Sequence, residues 1–338
     1  VLSASVERLP LARAFAISRG TRTEAVVVVA RVAHEGARGW GECTPYPRYD
    51  ERTEDVRGAI EEMGPWLRDA LSDGPDVARD ALRDAMEPGA ARNALDCALW
   101  DLEAKLVGRR PWDLAGTPAP TSLRSVLTIG IDTPDAMAGA ARERPSSALK
   151  IKLGAGDGRD GARLRAVRRA RPDAWLMSDS NEGCMEDELP ELLDAARDAR
   201  IDLVEQPLPA GSEPVLERLR GDGALEGLVL CADESCRREA DMTALARAYD
   251  AVNLKLDKTG GLTAALDQAA AARAAGLRVM VGCMLGSSLA MAPAAMLAAA
   301  AGADPVDLDG PLWLAADREG GVVAPDGTVS LPSGDLWG

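Results

Sequence analysis

Apolar and polar positions change rhythm twice along this chain. Up to Glu42 the apolar residues come in β-branched runs, and the valines and alanines of 23–32 read as a strand. The polar segment 33–39 reads as a hairpin turn, and Gly39-Trp40-Gly41-Glu42 opens a return strand. Residues 19–23 form a basic, flexible stretch. Segment 43–49 carries prolines at 45 and 47, which break either ladder, so it predicts a lid over a ligand or a rigid surface corner. From Glu54 to Val107 the period becomes helical: Val56, Ile60, Met63 and Leu67 recur at three to four residues, as do Ala91, Leu95, Ala98, Leu99 and Leu102. Gly108, Pro111 and the polar stretch 116–121 close this part, predicting a three-stranded sheet with a helical bundle over residues 1–116.

After Thr121 short apolar strands alternate with alanine-rich helices. The expected strands are 125–129, 149–153, 175–178, 203–205, 228–233, 251–256, 278–283 and 306–309. The expected helices are 134–143, 160–169, 186–198, 213–220, 242–247, 261–275 and 287–301. Lys152, Asp179, Glu205, Asp233, Lys255 and Cys283 follow one another at intervals of 27, 26, 28, 22 and 28 residues. Such spacing predicts a closed β/α barrel over 117–338, with strand ends converging on one mouth. A doubly wound sheet is the competing α/β layout, but Gly154-Ala155-Gly156-Asp157-Gly158 lacks the tail of a dinucleotide fingerprint.

Composition narrows the chemistry. The chain has 338 residues, 46% of them hydrophobic, and a formal charge of −15, which disfavours nucleic acid and anionic membranes as partners. No apolar run reaches the roughly 18 residues of a membrane span, and Glu7 and Arg8 make the start unlike a signal peptide. Six cysteines without C-x-x-C spacing predict reduced thiols and a cytoplasmic setting. The one histidine, His34, falls in the predicted hairpin turn, so proton transfer has to come from lysine or carboxylate.

Read as a strand, Lys150-Ile151-Lys152-Leu153 puts two ammonium groups on one face of a buried segment. Two like charges there are costly and mark a site. Asp179, Glu205 and Asp233 each follow an apolar run. Singly, such acids serve as helix caps; three at successive strand ends are the hard oxygen ligands that Mg²⁺ takes. Lys255 lies four strands along from Lys152, hence across the mouth. Burial and a neighbouring cation (Lys150 for Lys152, Lys258 or the metal for Lys255) are expected to lower the pKa of each base. Two opposed bases beside a Lewis acid suit removal of an α-proton from a carboxylate substrate and its return from the other face.

In order along the chain stand K-x-K at Lys150/Lys152, D-x-N at Asp179/Asn181, E-Q-P from Glu205, D-E-S from Asp233 and K-x-D-K-x-G-G from Lys255. With these the chain resembles the enolase superfamily, its muconate-lactonizing subgroup, and within that the dipeptide epimerases of the L-Ala-D/L-Glu type. The resemblance implies an α/β fold: a modified (β/α)7β TIM-like barrel with an N-terminal α+β capping domain on which the C-terminal tail packs. It implies Lys152 and Lys255 as the acid/base pair, Lys150 as support for Lys152 and the enolate, and Mg²⁺ (or Mn²⁺) on Asp179, Glu205 and Asp233. It also implies a homo-oligomer acting on a small dipeptide. Arg22 would hold the acidic side chain of the second residue, with Arg48 as a second candidate. Asp307 and Asp309, on one face of a regular eighth strand, would hold the free amino group or else cap the next turn. Tyr46, Asn181, Cys283 and Met284 complete the expected substrate contacts. Many relatives carry a glutamate where this chain has Gly286. An N-acylamino acid racemase, an o-succinylbenzoate synthase and a cycloisomerase reuse the same metal and lysines, and a catalytically dead barrel would need no base.

Overall fold

Alternation with a period of two builds the first layer. In the computed structural model, which describes residues 1–338 apart from 239, β1 (Leu2–Ile17), β2 (Gly20–His34) and β3 (Ala37–Cys43) form an antiparallel sheet in that order. Val28, Ala30 and Val32 of the middle strand face a helical core with Ile60, Leu82, Leu95 and Leu99. Val27 and Val29 point the other way and join the barrel core, so the sheet is buried on both sides. The Ala90–Val107 helix lies directly on β3: a methyl at Gly39 would stand 2.0 Å from Ala98 O, and one at Gly41 2.1 Å from Ala94 O. His34 ends β2 at the hairpin turn.

The basic stretch 19–23 is built into a hairpin. Gly20, Thr21 and Arg22 pair with Ile17, Ala16 and Phe15, and only Ser18 and Arg19 form the turn. Hairpin pairing therefore fixes Arg22 on a strand. After β3 the chain runs irregularly to a 3₁₀ turn at Pro47–Tyr49, then through helices Thr53–Glu62, Gly64–Ala70, Pro75–Ala85, Ala90–Val107 and Pro111–Ala115.

A short strand β4 (Leu123–Arg124) precedes the barrel. The barrel strands are β5 (Leu127–Ile129), β6 (Ala148–Lys152), β7 (Trp175–Asp179), β8 (Leu203–Glu205), β9 (Leu230–Ala232), β10 (Ala251–Leu254) and β11 (Arg278–Val281). They form one parallel seven-stranded sheet in sequence order. Helices Pro134–Glu143, Asp160–Ala170, Leu189–Asp198, Glu213–Gly221, Met242–Ala248, Leu262–Ala274 and Ser288–Ala301 alternate with them. The expected eighth strand, 306–309, is shorter than its sequence pattern. Val306 bridges to Ser125 and Asp307 to Gly282, so two residues span the gap between the outer strands. Asp309 already has the backbone of a turn, leading into a 3₁₀ turn at Gly310–Trp313. β10 likewise ends at Leu254, leaving Lys255 as the extended residue that starts a one-turn helix, Leu256–Thr259.

The tail returns through β12 (Thr328–Val329), which pairs with β4. It ends on the Ala90–Val107 helix, where the Trp337 indole N–H donates to Cys97 O at 3.0 Å and Gly338 N to Asp101 Oδ1 at 2.5 Å. Among the described residues no helix is long and apolar enough to cross a membrane.

Candidate active site

Parallel register sets the site. Lys152 pairs with Asp179, Asp179 with Glu205 and Glu205 with Cys231, so the K-x-K strand and the acids end at one level. Each acid is buried, and each has one oxygen fixed by the chain itself. Asp179 Oδ1 accepts from Asn181 N at 2.8 Å, Glu205 Oε1 from Asn253 Nδ2 at 2.6 Å, and Asp233 Oδ1 from Lys258 Nζ at 2.6 Å. The other oxygens meet ammonium groups. Lys150 Nζ lies 2.9 Å from Asp179 Oδ2, 2.7 Å from Glu205 Oε2 and 2.7 Å from Asp307 Oδ2. Lys152 donates to Asp179 Oδ2 at 2.6 Å and to Asn181 Oδ1 at 3.1 Å, and Lys255 donates to Asp233 Oδ2 at 2.7 Å.

This pairing decides the electrostatics. Burial by itself lowers the pKa of Lys150, but Asp179, Asp307 and Glu205 together hold it well above the ordinary lysine value. Lys255 behaves alike: burial lowers it, and Asp233, Glu205 and Asp307 together raise it well above the ordinary lysine value. For Lys255 this is the reverse of the expected depression, because the carboxylates outweigh burial and the neighbouring Lys150. Lys258 shares the Asp233 carboxylate with Lys255, donating to Asp233 Oδ1, Asp233 O and Asn253 O. Burial opposes ionisation of Asp179 and Asp233, yet the lysines hold both well below the usual carboxylate range. Glu205, pushed by burial and by Asp179, rises to about 7.

One cavity opens above these groups. Lys150, Lys152, Asp233 and Lys255 line it, together with Arg22, Tyr46, Asn181, Cys283, Met284, Asp307 and Asp309. Asp179 and Glu205 lie just behind, screened by the lysines. Arg22, half-buried, stands over the Tyr46 ring at 5.2 Å with no carboxylate partner among the described residues. Asp309 accepts from Thr128 N at 2.7 Å, Thr128 Oγ1 at 3.2 Å and the Trp313 indole at 3.3 Å. Burial and the nearby Asp307 charge raise its pKa. The two aspartates thus reach one cavity from a bridge and a turn, not from one face of a regular strand.

Arg48 is a correction. It does not line the cavity but grips Glu182 with two hydrogen bonds, Nε to Oε2 at 2.7 Å and Nη2 to Oε1 at 2.8 Å. Arg19, unassigned from the sequence, is the residue over the mouth. It donates to Tyr46 Oη at 3.0 Å, Asn181 O at 3.1 Å and Glu182 Oε2 at 2.8 Å, and it also binds Glu234. Thr128, Glu234, Phe15 and Trp313 are further lining residues that sequence reasoning missed. Only Glu234 had a signal, as the middle letter of D-E-S.

Gly286 also finds its reason. A Cβ there would lie 2.9 Å from Glu42 Oε1. Glu42, from the return strand, accepts from Ser287 N at 2.7 Å and Ser287 Oγ at 2.5 Å. A carboxylate from the three-stranded sheet occupies the space beside residue 286.

Among the described residues no three acids, cysteines or histidines are gathered into a ready-made ion cluster, because ammonium groups stand between the acids. The chemistry nevertheless fits a hard cation. All three inward ligands are carboxylate oxygens, and the buried Glu205 Oε2 has no hydrogen-bond partner, only the Lys150 charge beside it.

A capped β/α barrel with lysines on opposite sides of a carboxylate-floored mouth is the class that fold and site define. The chain belongs to the mandelate racemase/muconate lactonizing enzyme group of the enolase superfamily: residues 3–116 match the family's "Mandelate racemase / muconate lactonizing enzyme, N-terminal domain" and 134–335 its "Enolase C-terminal domain-like" model. It is 42% identical over 316 residues to the L-Ala-D/L-Glu epimerase of Escherichia coli K12, covering 93% of this chain and 94% of that protein. It is 40% identical to an N-acetyl-D-glutamate racemase of a Pseudoalteromonas species, covering 92% and 95%. Among solved structures it resembles, at TM-score 0.92 and 46% identity over 100% and 99% of the two chains, an enolase family member from Agrobacterium tumefaciens with homology to dipeptide epimerases, solved with sodium and L-Ala-L-Glu.

Proposed function

We propose that this protein is a Mg²⁺-dependent isomerase that epimerises the α-carbon of the second residue of dipeptides, interconverting L-Ala-L-Glu and L-Ala-D-Glu. The observation that carries the reading is that Lys152 and Lys255, from strands four apart in the sheet, line one cavity. A substrate α-carbon between them has a nitrogen base on each face. One lysine, neutral, takes the α-proton; the electron pair passes into the carboxylate as an enediolate; the other, protonated, delivers its proton to the opposite face. Lys150, behind them, adds positive charge where the enediolate develops. Asp179, Glu205 and Asp233 would hold Mg²⁺, which would supply Lewis acidity to the substrate carboxylate, and carboxylates engaged with it would raise the lysines less.

Asp307 and Asp309 supply negative charge for the dipeptide's ammonium group, and Thr128 and Trp313 hold Asp309 in place for it. Arg22, which stacks over Tyr46 and has no carboxylate partner among the described residues, is the fork for the second residue's side-chain carboxylate. A second reading, racemisation of an N-acylglutamate, is favoured by the likeness to the N-acetyl-D-glutamate racemase. An acylated nitrogen carries no charge and would leave the two aspartates without a partner. Free cysteines throughout the described chain support the cytoplasmic setting, and a homo-oligomer is part of the same reading.

The test is proton NMR of L-Ala-L-Glu in D₂O with enzyme and Mg²⁺. Deuterium is expected at the Glu α-carbon together with L-Ala-D-Glu; absence of both, with metal bound, contradicts the proposal. Asp309→Asn should lower kcat/KM for the dipeptide more than for N-acetylglutamate, and equal losses would favour a purely structural Asp309.

A further inference from the structure

The oxygens that face away from the cavity are as ordered as those that face it. Lys258 is fully buried, lines no part of the cavity, and spends its donors on Asp233 Oδ1 at 2.6 Å, Asp233 O at 2.5 Å and Asn253 O at 2.8 Å. It is thus neither a base nor a substrate contact. Asn253, also buried, gives its amide N–H to Glu205 Oε1 at 2.6 Å. Space for that amide comes from Gly282, where a Cβ would lie 2.6 Å from Asn253 Oδ1. Asp179 Oδ1 is held by Asn181 N at 2.8 Å, with Asn181 itself in the left-handed region at φ 44°.

We propose that Lys258 and Asn253 are positioning residues that fix Asp233 and Glu205 as one-oxygen ligands, so that the centre favours Mg²⁺ over Ca²⁺. This rests on the reading that Asp179, Glu205 and Asp233 hold the metal. With one oxygen of each acid tied back, the protein supplies three single-oxygen ligands and leaves three octahedral positions for substrate and water. Mg²⁺ accepts that arrangement, whereas Ca²⁺ prefers six to eight oxygens and commonly takes both oxygens of a carboxylate. A neutralising role alone would place a cation near Asp233, but it gives no reason for an uncharged amide on Glu205 in the same relation. Two different donors doing one geometric task point to control of ligand orientation.

The test measures ion binding, not turnover: isothermal titration of the metal-free full chain with Mg²⁺ and with Ca²⁺, for wild type, Lys258→Met, Asn253→Leu and Asp233→Asn, each checked for folding by circular dichroism. Lys258→Met and Asn253→Leu are each expected to weaken Mg²⁺ by about 10- to 100-fold, the usual effect of removing a group that orients a ligand. Ca²⁺ affinity should hold or rise, so the Mg²⁺/Ca²⁺ preference collapses. A folded variant with the wild-type preference overturns the proposal, and Asn253→Leu, which leaves the charge count unchanged, carries the test if Lys258→Met does not fold. Wild type that binds neither ion, or Asp233→Asn that binds Mg²⁺ as wild type does, overturns the three-acid centre and this proposal with it.

Discussion

Asp179 and Asp233 at the barrel mouth face ammonium groups, while Asp257 and Asp96, along the seam between the capping helices and the barrel, face neutral donors. Asp233 meets Lys255 and Lys258, and Asp179 meets Lys150 and Lys152. At the seam, Asp257 accepts from Thr44 N at 3.0 Å and Asn93 Nδ2 at 3.0 Å, and Asp96 from Thr263 N at 3.0 Å and Thr263 Oγ1 at 2.6 Å. The consequence is opposite in sign. The mouth acids Asp179 and Asp233 sit below the usual carboxylate range, whereas burial raises Asp257 to about 7 and Asp96 to about 6. A hydrogen bond satisfies a buried oxygen, but only an opposite charge offsets the loss of solvation. The seam holds two layers together with carboxyl groups that burial makes harder to ionise. At the mouth the lysines keep Asp179 and Asp233 charged, which suits a site for a charged substrate, while Glu205, pushed up by Asp179 as well as by burial, does not follow them.

The sharpest break of this contrast is Asp233→Asn. It strands Lys255 and Lys258 as buried cations, and removing one partner of such a set costs about 3–5 kcal/mol, to be read from urea unfolding at neutral pH. An unchanged midpoint would show that the lysines do not depend on Asp233. Asp257→Asn should act the other way. The folded-state pKa of Asp257 lies above its unfolded value, so its contribution is fully present below about pH 4 and is lost as pH rises through about 7. Asparagine imitates the protonated acid and should therefore stabilise the protein at pH 8 but not at pH 4, flattening the melting-temperature profile between. A parallel profile in the variant would place the titration elsewhere. The smallest effect belongs to Arg48→Gln. Arg48 is 39% exposed and its partner Glu182 keeps Arg19 as a second cation, so unfolding free energy should change by no more than about 1 kcal/mol. A large loss of dipeptide affinity would restore Arg48 as a substrate contact.

The same contrast marks what the sequence could reveal. Lys152, Asp179, Glu205 and Asp233 were legible because each ends an apolar run and the βα repeat brings strand ends to one level. The seven barrel helices were legible from their periodicity, with the third starting at Leu189 and not at 186. Groups brought in from other elements were not legible. Arg19 sits on a two-residue hairpin turn, Trp313 on a 3₁₀ turn and Thr128 on the first barrel strand, and nothing local ties them to one cavity. Arg48 was misjudged for the same reason: its composition suited a carboxylate, and the carboxylate it found was Glu182. The eighth strand was overextended because two bridging residues suffice there, leaving Asp309 free to turn.

The central claim is that Lys152 and Lys255 serve opposite faces of one carbon. Lys152→Ala and Lys255→Ala, each incubated in D₂O with Mg²⁺ and with L-Ala-L-Glu or L-Ala-D-Glu, test it by NMR at the Glu α-proton. Epimerisation should fall by about 10²- to 10⁴-fold in both, while each variant still exchanges the α-proton of one epimer, a different one in each case. Epimerisation at the wild-type rate in either variant, or exchange of the same epimer by both, would contradict the account.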